Sequence, residues 1–151
     1  MDGVIFREST ESELNEIISN IKEFATYING YDRTNIDIES LRNAIFITKK
    51  IEHRFIEVND EIAGYIIYFN IFSTFKGRLG IYLEDLYIKE KYRSKGIGKK
   101  AFDYLQEVAK ENNYCMLEWN CLKTNIPAME FYKKKIKAKE IEDLIFFNIN
   151  M

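Results

Sequence analysis

A chain of 151 residues with 46% hydrophobic and 15% aromatic side chains has room for one compact domain and enough apolar surface to exclude disorder. A formal charge of −2, from 22 basic and 24 acidic residues, gives no global positive field and argues against nucleic acid as a partner. Two cysteines and the single His53 build neither a disulfide scaffold nor a four-ligand zinc site and point to a reducing cytoplasm. The start MDGVIFREST lacks a basic segment followed by a long apolar one, and IAGYIIYF is too short to span a bilayer, which disfavours secretion and membrane insertion.

After an apolar stretch at Val4 to Phe6, Thr10 and Glu13 fit a capping box. Leu14, Ile17, Ile18, Ile21, Phe24, Ala25 and Ile28 follow with helical spacing, and Asn29-Gly30 ends that helix. A shorter helix is predicted near Ile38 to Ala44. Arg54 to Val58 and Ile62 to Phe69, separated by Asn59-Asp60, read as an antiparallel hairpin. A loop with Ser73, Thr74, Lys76 and Gly77 leads to LGIYLEDLYI, a buried strand interrupted by the acidic pair Glu84 and Asp85. Ile97, Ala101, Leu105, Val108 and Ala109 form a helical apolar stripe, and Met116 to Asn120 is a strand. Asn125 caps a further helix with Pro127 in its first turn, and Leu144 to Ile149 is predicted as a last strand. No repeat or interdomain linker breaks residues 1–151.

The segment YRSKGIGKKAF places Arg93, Gly96 and Gly98 in an RxxGxG pattern between strand and helix. Small residues there let main-chain N–H groups approach a phosphate at a helix start, where the dipole favours negative charge. Three readings compete. One is a solvated basic turn whose glycines only permit positive φ. Another is a dinucleotide fold, since GIGKKA fits GxGxxA, but the charged stretch Lys89 to Lys95 separates the strand from the first glycine. The third is a pyrophosphate cradle for coenzyme A.

With LEDLYI, then YRSKGIG, then NIPAMEFYKK, the chain resembles the GNAT superfamily of N-acetyltransferases, closest to its spermidine/spermine acetyltransferase-like branch. The resemblance runs from about Leu79 to Lys134. It implies a mixed α/β (α+β) domain over 1–151, with a central, largely antiparallel sheet, a bulged strand and flanking helices. It implies acetyl-CoA as donor, a small primary amine as acceptor, direct attack without metal, and a homodimer.

Acetyl transfer needs a neutral nitrogen, whereas a lysine-like amine has a pKa near ~10.4 and carries a proton at neutral pH. By resemblance, Glu84 is the general base acting through water, and Asp85 with Tyr27 holds the cationic acceptor. Regular pleating sends Glu84 and Asp85 to opposite faces, and a bulge could bring both to one cleft; one carboxylate facing solvent and the other serving structure is the competing reading. The family's NxxxxxxY spacing recurs in Asn125 and Tyr132, which makes Tyr132 the donor to the leaving thiol and Asn125 a coenzyme contact. The amide of Leu86 or Tyr87 would meet the acyl oxygen, with Ile88 touching the coenzyme through its backbone. Arg93, Ser94, Lys95, Gly96, Ile97, Gly98 and Lys99 would hold the diphosphate. Glu118, Trp119 and Asn120 would line the pantetheine slot. Nothing in the sequence supplies a means of activating Cys121 as a nucleophile, and His53 reads as a structural or solvated residue.

The pattern also departs from polyamine-specific members. Ile28 follows Tyr27 where they carry an acid, and Ser73 and Phe75 stand where they carry an acid and a tryptophan. Lys123-Thr124 and Lys137 also differ from the usual residues. Long diamines therefore lack the partners that buried ammonium groups need. The alternatives are acetylation of a protein lysine or amino terminus, and a non-catalytic module that binds coenzyme A or a dinucleotide.

Overall fold

A computed structural model describes residues 3–151. The chain divides into two compact units, one ending at Asn120 and the other comprising Cys121–Met151. The first unit carries a five-stranded sheet in the order β1 (Val4–Glu8), β2 (Glu52–Val58), β3 (Glu61–Ser73), β4 (Arg78–Ile88) and β5 (Leu117–Trp119). The first four strands pair antiparallel, whereas β5 runs parallel to β4. A parallel neighbour cannot be reached through a tight turn, and the helix α3 (Ile97–Glu111) makes the crossover.

Local chemistry explains the element ends. The Glu13 carboxylate accepts a hydrogen bond from the Thr10 amide at 2.8 Å, opening a 3-10 turn that runs into α1 (Leu14–Asn29). That helix stops where Gly30 adopts φ 79 and its N–H reaches the Thr26 carbonyl at 2.8 Å, a left-handed cap that glycine adopts without a Cβ penalty. Asp37 caps α2 (Ile38–Arg42) by accepting from the Ser40 amide at 3.0 Å. The helix then continues as a wide π turn over Asn43–Ile47, three residues past the predicted end at Ala44. Asn59 and Asp60 both have positive φ, 51 and 64, the geometry of a two-residue hairpin turn.

The sheet is covered on both faces. Tyr65, Ile67, Phe55 and Tyr87 meet Ile17 of α1 and Ile45 of the π turn in one buried cluster. On the other face α3 buries Ala101, Phe102 and Leu105, and Tyr104 stacks on Phe6 with ring centroids 4.6 Å apart. Each fully buried Phe or Leu side chain contributes about 1.5–3 kcal/mol. The stretch beginning at Val4 is therefore an edge strand, fixed through Phe6 on one face. On the other face Arg7 pairs with Glu13 at 2.9 Å and with Glu57.

The second unit holds α4 (Ile126–Phe131) and a π turn, Tyr132–Ile136. The strand predicted over Leu144 to Ile149 does not form: no helix or strand follows Ile136, and Leu144, Ile145, Phe146, Phe147 and Ile149 are exposed. A short apolar run makes a strand only where a neighbouring edge takes up its N–H and C=O groups. Among the described residues no such edge pairs with this segment. Among the described residues no helix is long and apolar enough to cross a membrane.

Candidate active site

The acidic pair lies at a bulge. Ile67 pairs with Asp85 and Tyr68 with Leu83, so Glu84 is the extra residue on β4. In a regular strand Leu83 and Asp85 would share a face. The inserted residue reverses this: Leu83 goes with Tyr68 toward the α3 side, and Asp85 goes with Ile67 toward the α1 side. Glu84 is exposed at the turn of the strand. Pairing between β4 and β5 also ends here, at Leu83 with Trp119, so the edge of β4 beyond the bulge has no strand beside it among the described residues.

Strand alternation fixes which amides face that open edge. The Lys89 N–H reaches back across β3 to the Ala63 carbonyl, and the Ile88 carbonyl points away from β3 to accept from Arg93 Nε at 2.8 Å. Counting back, Leu86 and Ile88 present their amides to the open edge, and Tyr87 presents its own to β3. Of the two predicted oxyanion donors, Leu86 has the required direction. The close approach of Tyr87 to β3 also requires Gly64, whose Cβ would sit 2.0 Å from the Tyr87 carbonyl oxygen.

Around Asp85 the α1 face is aromatic. Tyr65 is fully buried and donates its hydroxyl to Asp85 Oδ2 at 2.8 Å. Burial pushes the Asp85 carboxyl up to about 6, the neighbouring charge of Glu84 adds to this, and the Tyr65 hydrogen bond opposes it. The Tyr65 phenol is pushed up as well, by burial and by Asp85, so it remains a donor. Tyr87 donates to Glu23 of α1 at 3.1 Å, and Lys89 lies 3.6 Å from the same carboxylate. The Arg93 guanidinium sits over the Tyr27 ring at 3.9 Å and over Tyr87 at 5.7 Å. Arg93 thus pins the loop to β4 and to α1. His53 is a core residue: its Nδ1 lies 3.0 Å from Ser9 Oγ, and burial holds the ring well below its usual range, at about 3.

The loop before α3 offers main chain. Its base is fixed by Lys91 and Tyr92, which both donate to Glu61. Ser94 has φ 60 and Gly96 has φ 79, and Gly96 precedes the first residue of α3. The first hydrogen bond of that helix runs from Lys100 to the Gly96 carbonyl, so the amides of Ile97, Gly98 and Lys99 precede the helical ladder. The lysine side chains are engaged elsewhere: Lys95 Nζ donates to the Lys91 carbonyl at 2.9 Å, and Lys99 pairs with Asp103. An array of free amides at the start of a 15-residue helix suits a diphosphate, and the open edge of β4 beside it suits the amide-bearing arm of coenzyme A.

On β5, Glu118 pairs with Tyr82 in register, and Asn120 Nδ2 donates to the Tyr82 hydroxyl at 2.6 Å. Trp119 packs on Phe102 of α3 at 4.7 Å. In the second unit Asn125 caps α4, its side chain accepting from the Ala128 amide at 3.3 Å. Tyr132 ends that helix, half-buried, with its ring 5.6 Å from Phe131.

Residues 16–136 match the Acetyltransferase (GNAT) family. The chain belongs to that family. A thialysine N-epsilon-acetyltransferase from Bos taurus is 34% identical over 142 residues, covering 88% of this chain and 83% of the relative. Its namesake from Caenorhabditis elegans is 30% identical over 124 residues, covering 82% and 76%. The fold matches the crystal structure of a possible acetyltransferase from Clostridium difficile at a TM-score of 0.81, with 19% identity and 99% of both chains covered.

This GNAT protein is an amine N-acetyltransferase that uses acetyl-CoA. Its largely antiparallel sheet is not the open parallel sheet on which GxGxxA holds a dinucleotide. Two residues of the α1 face escaped sequence reading, Tyr65, which bonds Asp85, and Glu23, which bonds Tyr87. A tyrosine inside the apolar run IAGYIIYF is itself a signal, because a buried phenol needs an acceptor. The identity of that acceptor depends on the bulge register.

Proposed function

We propose that the acceptor is a small, amino-acid-like primary amine of the thialysine class, acetylated by direct attack within a single domain over 1–151. The observation that carries this reading is the half-buried Asp85 carboxylate at the bulge, beside the unpaired edge of β4. A carboxylate ionised above about pH 6 attracts one ammonium group. Long polyamines need a further buried anion, and Ile28, Ser73 and Phe75 supply none; Phe75 is fully exposed. Glu23, the acid nearest Tyr87, is already shared between a phenol and Lys89.

Acetyl-CoA supplies the acyl group as an activated thioester. Asp85 and Tyr27 bind and orient the acceptor, and Glu84, exposed at the bulge, takes the ammonium proton through water. The Leu86 amide donates to the acyl oxygen as negative charge develops there. Tyr132 returns a proton to the leaving thiolate, and Asn125 steadies the coenzyme from the cap of α4. Ser94 to Lys99 grip the diphosphate by main chain, and Glu118 to Asn120 border the pantetheine arm. The protein works in the cytoplasm as a homodimer, a state that the exposed apolar residues from Leu144 to Ile149 favour.

The test is release of coenzyme A thiol from acetyl-CoA with thialysine, ornithine, spermidine and a lysine peptide as acceptors. The reading predicts turnover strongest with the amino-acid amines. Preference for the peptide would move the assignment to protein acetylation. Tight acetyl-CoA binding with no turnover on any amine would indicate a sensor.

A further inference from the structure

Tyr65 stands apart from the other phenols of the first unit. It is fully buried, and its ring is held on three sides: His53 stacks on it at 5.7 Å with planes 14° apart, Phe24 meets it edge-on at 6.2 Å, and Tyr87 tilts against it at 6.2 Å. His53 is itself fixed by Phe55 at 4.7 Å and by Ser9. The ring is enclosed, and its hydroxyl is delivered to Asp85 Oδ2. Tyr65 opposes Tyr87 in the strand register, and Ile67 opposes Asp85, so the phenol reaches diagonally across two rungs to the residue that follows the bulge.

We propose that Tyr65 is a positioning residue for the acceptor amine. It holds the Asp85 carboxylate in one rotamer through Oδ2 and leaves Oδ1 directed to the substrate ammonium. The inference rests on the reading of Asp85 as the ammonium anchor. Two consequences follow from the chemistry of a hydrogen bond to an anion. The donor favours the charged form, so it keeps Asp85 ionised nearer neutrality than burial and Glu84 alone would allow. It also restricts the carboxylate before the substrate arrives, which reduces the ordering cost of binding. Around this pair the titratable and charged groups are Glu84 and Tyr87 on β4, Glu23 on α1, His53 on β2, and Lys89 and Arg93 beyond the strand. His53 is neutral throughout the working range, since burial holds it near 3.

The experiment compares Tyr65→Phe, Asp85→Asn and the double variant, with thialysine as probe. Its binding to the enzyme–coenzyme A complex is titrated calorimetrically from pH 5 to 8, and kcat is measured at saturation. Tyr65→Phe keeps the ring and removes only the hydroxyl. The expected result is about fivefold weaker acceptor binding at pH 7, from a lost hydrogen bond to an ion. The acidic limb should move up by roughly one pH unit, with kcat retained within about twofold and acetyl-CoA affinity unchanged. In the double variant the Tyr65 change should add nothing to Asp85→Asn, because the pair acts as one unit. A purely structural role would lower the melting temperature and leave the limb in place, and that result overturns the inference while Asp85 keeps its assignment. If Asp85→Asn itself leaves acceptor binding and its pH limb unchanged, the reading of the anchor fails, and the inference falls with it. Should Tyr65→Phe unfold, His53→Phe, which keeps the hydroxyl but changes the ring stacked on Tyr65, provides the same readouts, and an unchanged limb there overturns the proposal.

Discussion

The two halves of the first unit's candidate site bind by different means. At the loop before α3 the ligating groups are main-chain amides, and the nearby lysines are tied to the Lys91 carbonyl and to Asp103. On the α1 face the working groups are side chains, namely Asp85 held by Tyr65 and an aromatic surface capped by Arg93. A backbone cradle depends on φ and on the start of a helix, so it tolerates side-chain exchange that preserves the turn. A side-chain cleft does not, and its burial tunes the ionisation of Asp85. On the proposed reading the cofactor side is thus generic, and the acceptor side carries the specificity.

Substitutions can break or sharpen this contrast. The largest effect is expected from Gly96→Asp, which places a Cβ at φ 79 and a negative charge against phosphate. Acetyl-CoA affinity measured by calorimetry should fall by about 100-fold, equivalent to ~2.7 kcal/mol. An added Cβ meets nothing within 4 Å, so the cost to the fold is limited to the strain of a left-handed φ and thermal unfolding should stay cooperative. Glu84→Gln should lower kcat by about 30-fold, less than the loss of a base in direct contact because Glu84 acts through water, and leave acetyl-CoA affinity unchanged. An equal loss in both quantities would place Glu84 on the cofactor side and erase the contrast. The smallest effect should come from Lys95→Ala and Lys99→Ala. Each exposed charge contributes at most ~0.6 kcal/mol, so affinity for acetyl-CoA should change by no more than about threefold. A loss from Lys95→Ala as large as that from Gly96→Asp would mean that the loop binds through side chains.

Where a local signal decides structure, it could be read in the sequence. Thr10 with Glu13, Asn29-Gly30, Asn59-Asp60 and Asn125 with Pro127 all became the predicted cap, stop, turn and cap, because each acts within four residues of itself. The acidic pair flagged a bulge, yet only the register shift at Ile67/Tyr68 sends Asp85 and Leu83 to opposite faces. Tyr65 and Asp85 lie twenty residues apart, a distance over which periodicity says nothing. Arg93 fits the loop pattern, but the Ile88 carbonyl and the Tyr27 ring receive it, and only packing of α1 against the sheet brings them together. The segment Leu144 to Ile149 shows the converse: its apolar run suits a strand, but strand formation depends on a neighbour that the run does not specify.

On the proposed reading, a half-buried, titrating carboxylate at the β4 bulge recognises the acceptor. Calorimetric titration of the enzyme–coenzyme A complex with thialysine, from pH 5 to 8, tests it in the unmodified protein and in Asp85→Asn. Ammonium binding needs the carboxylate charged, so affinity should be full above the Asp85 midpoint and fall as pH drops through about 6. The Asn variant should bind weakly at every pH, without that limb. The same limb in both proteins, at the same affinity, would contradict the account.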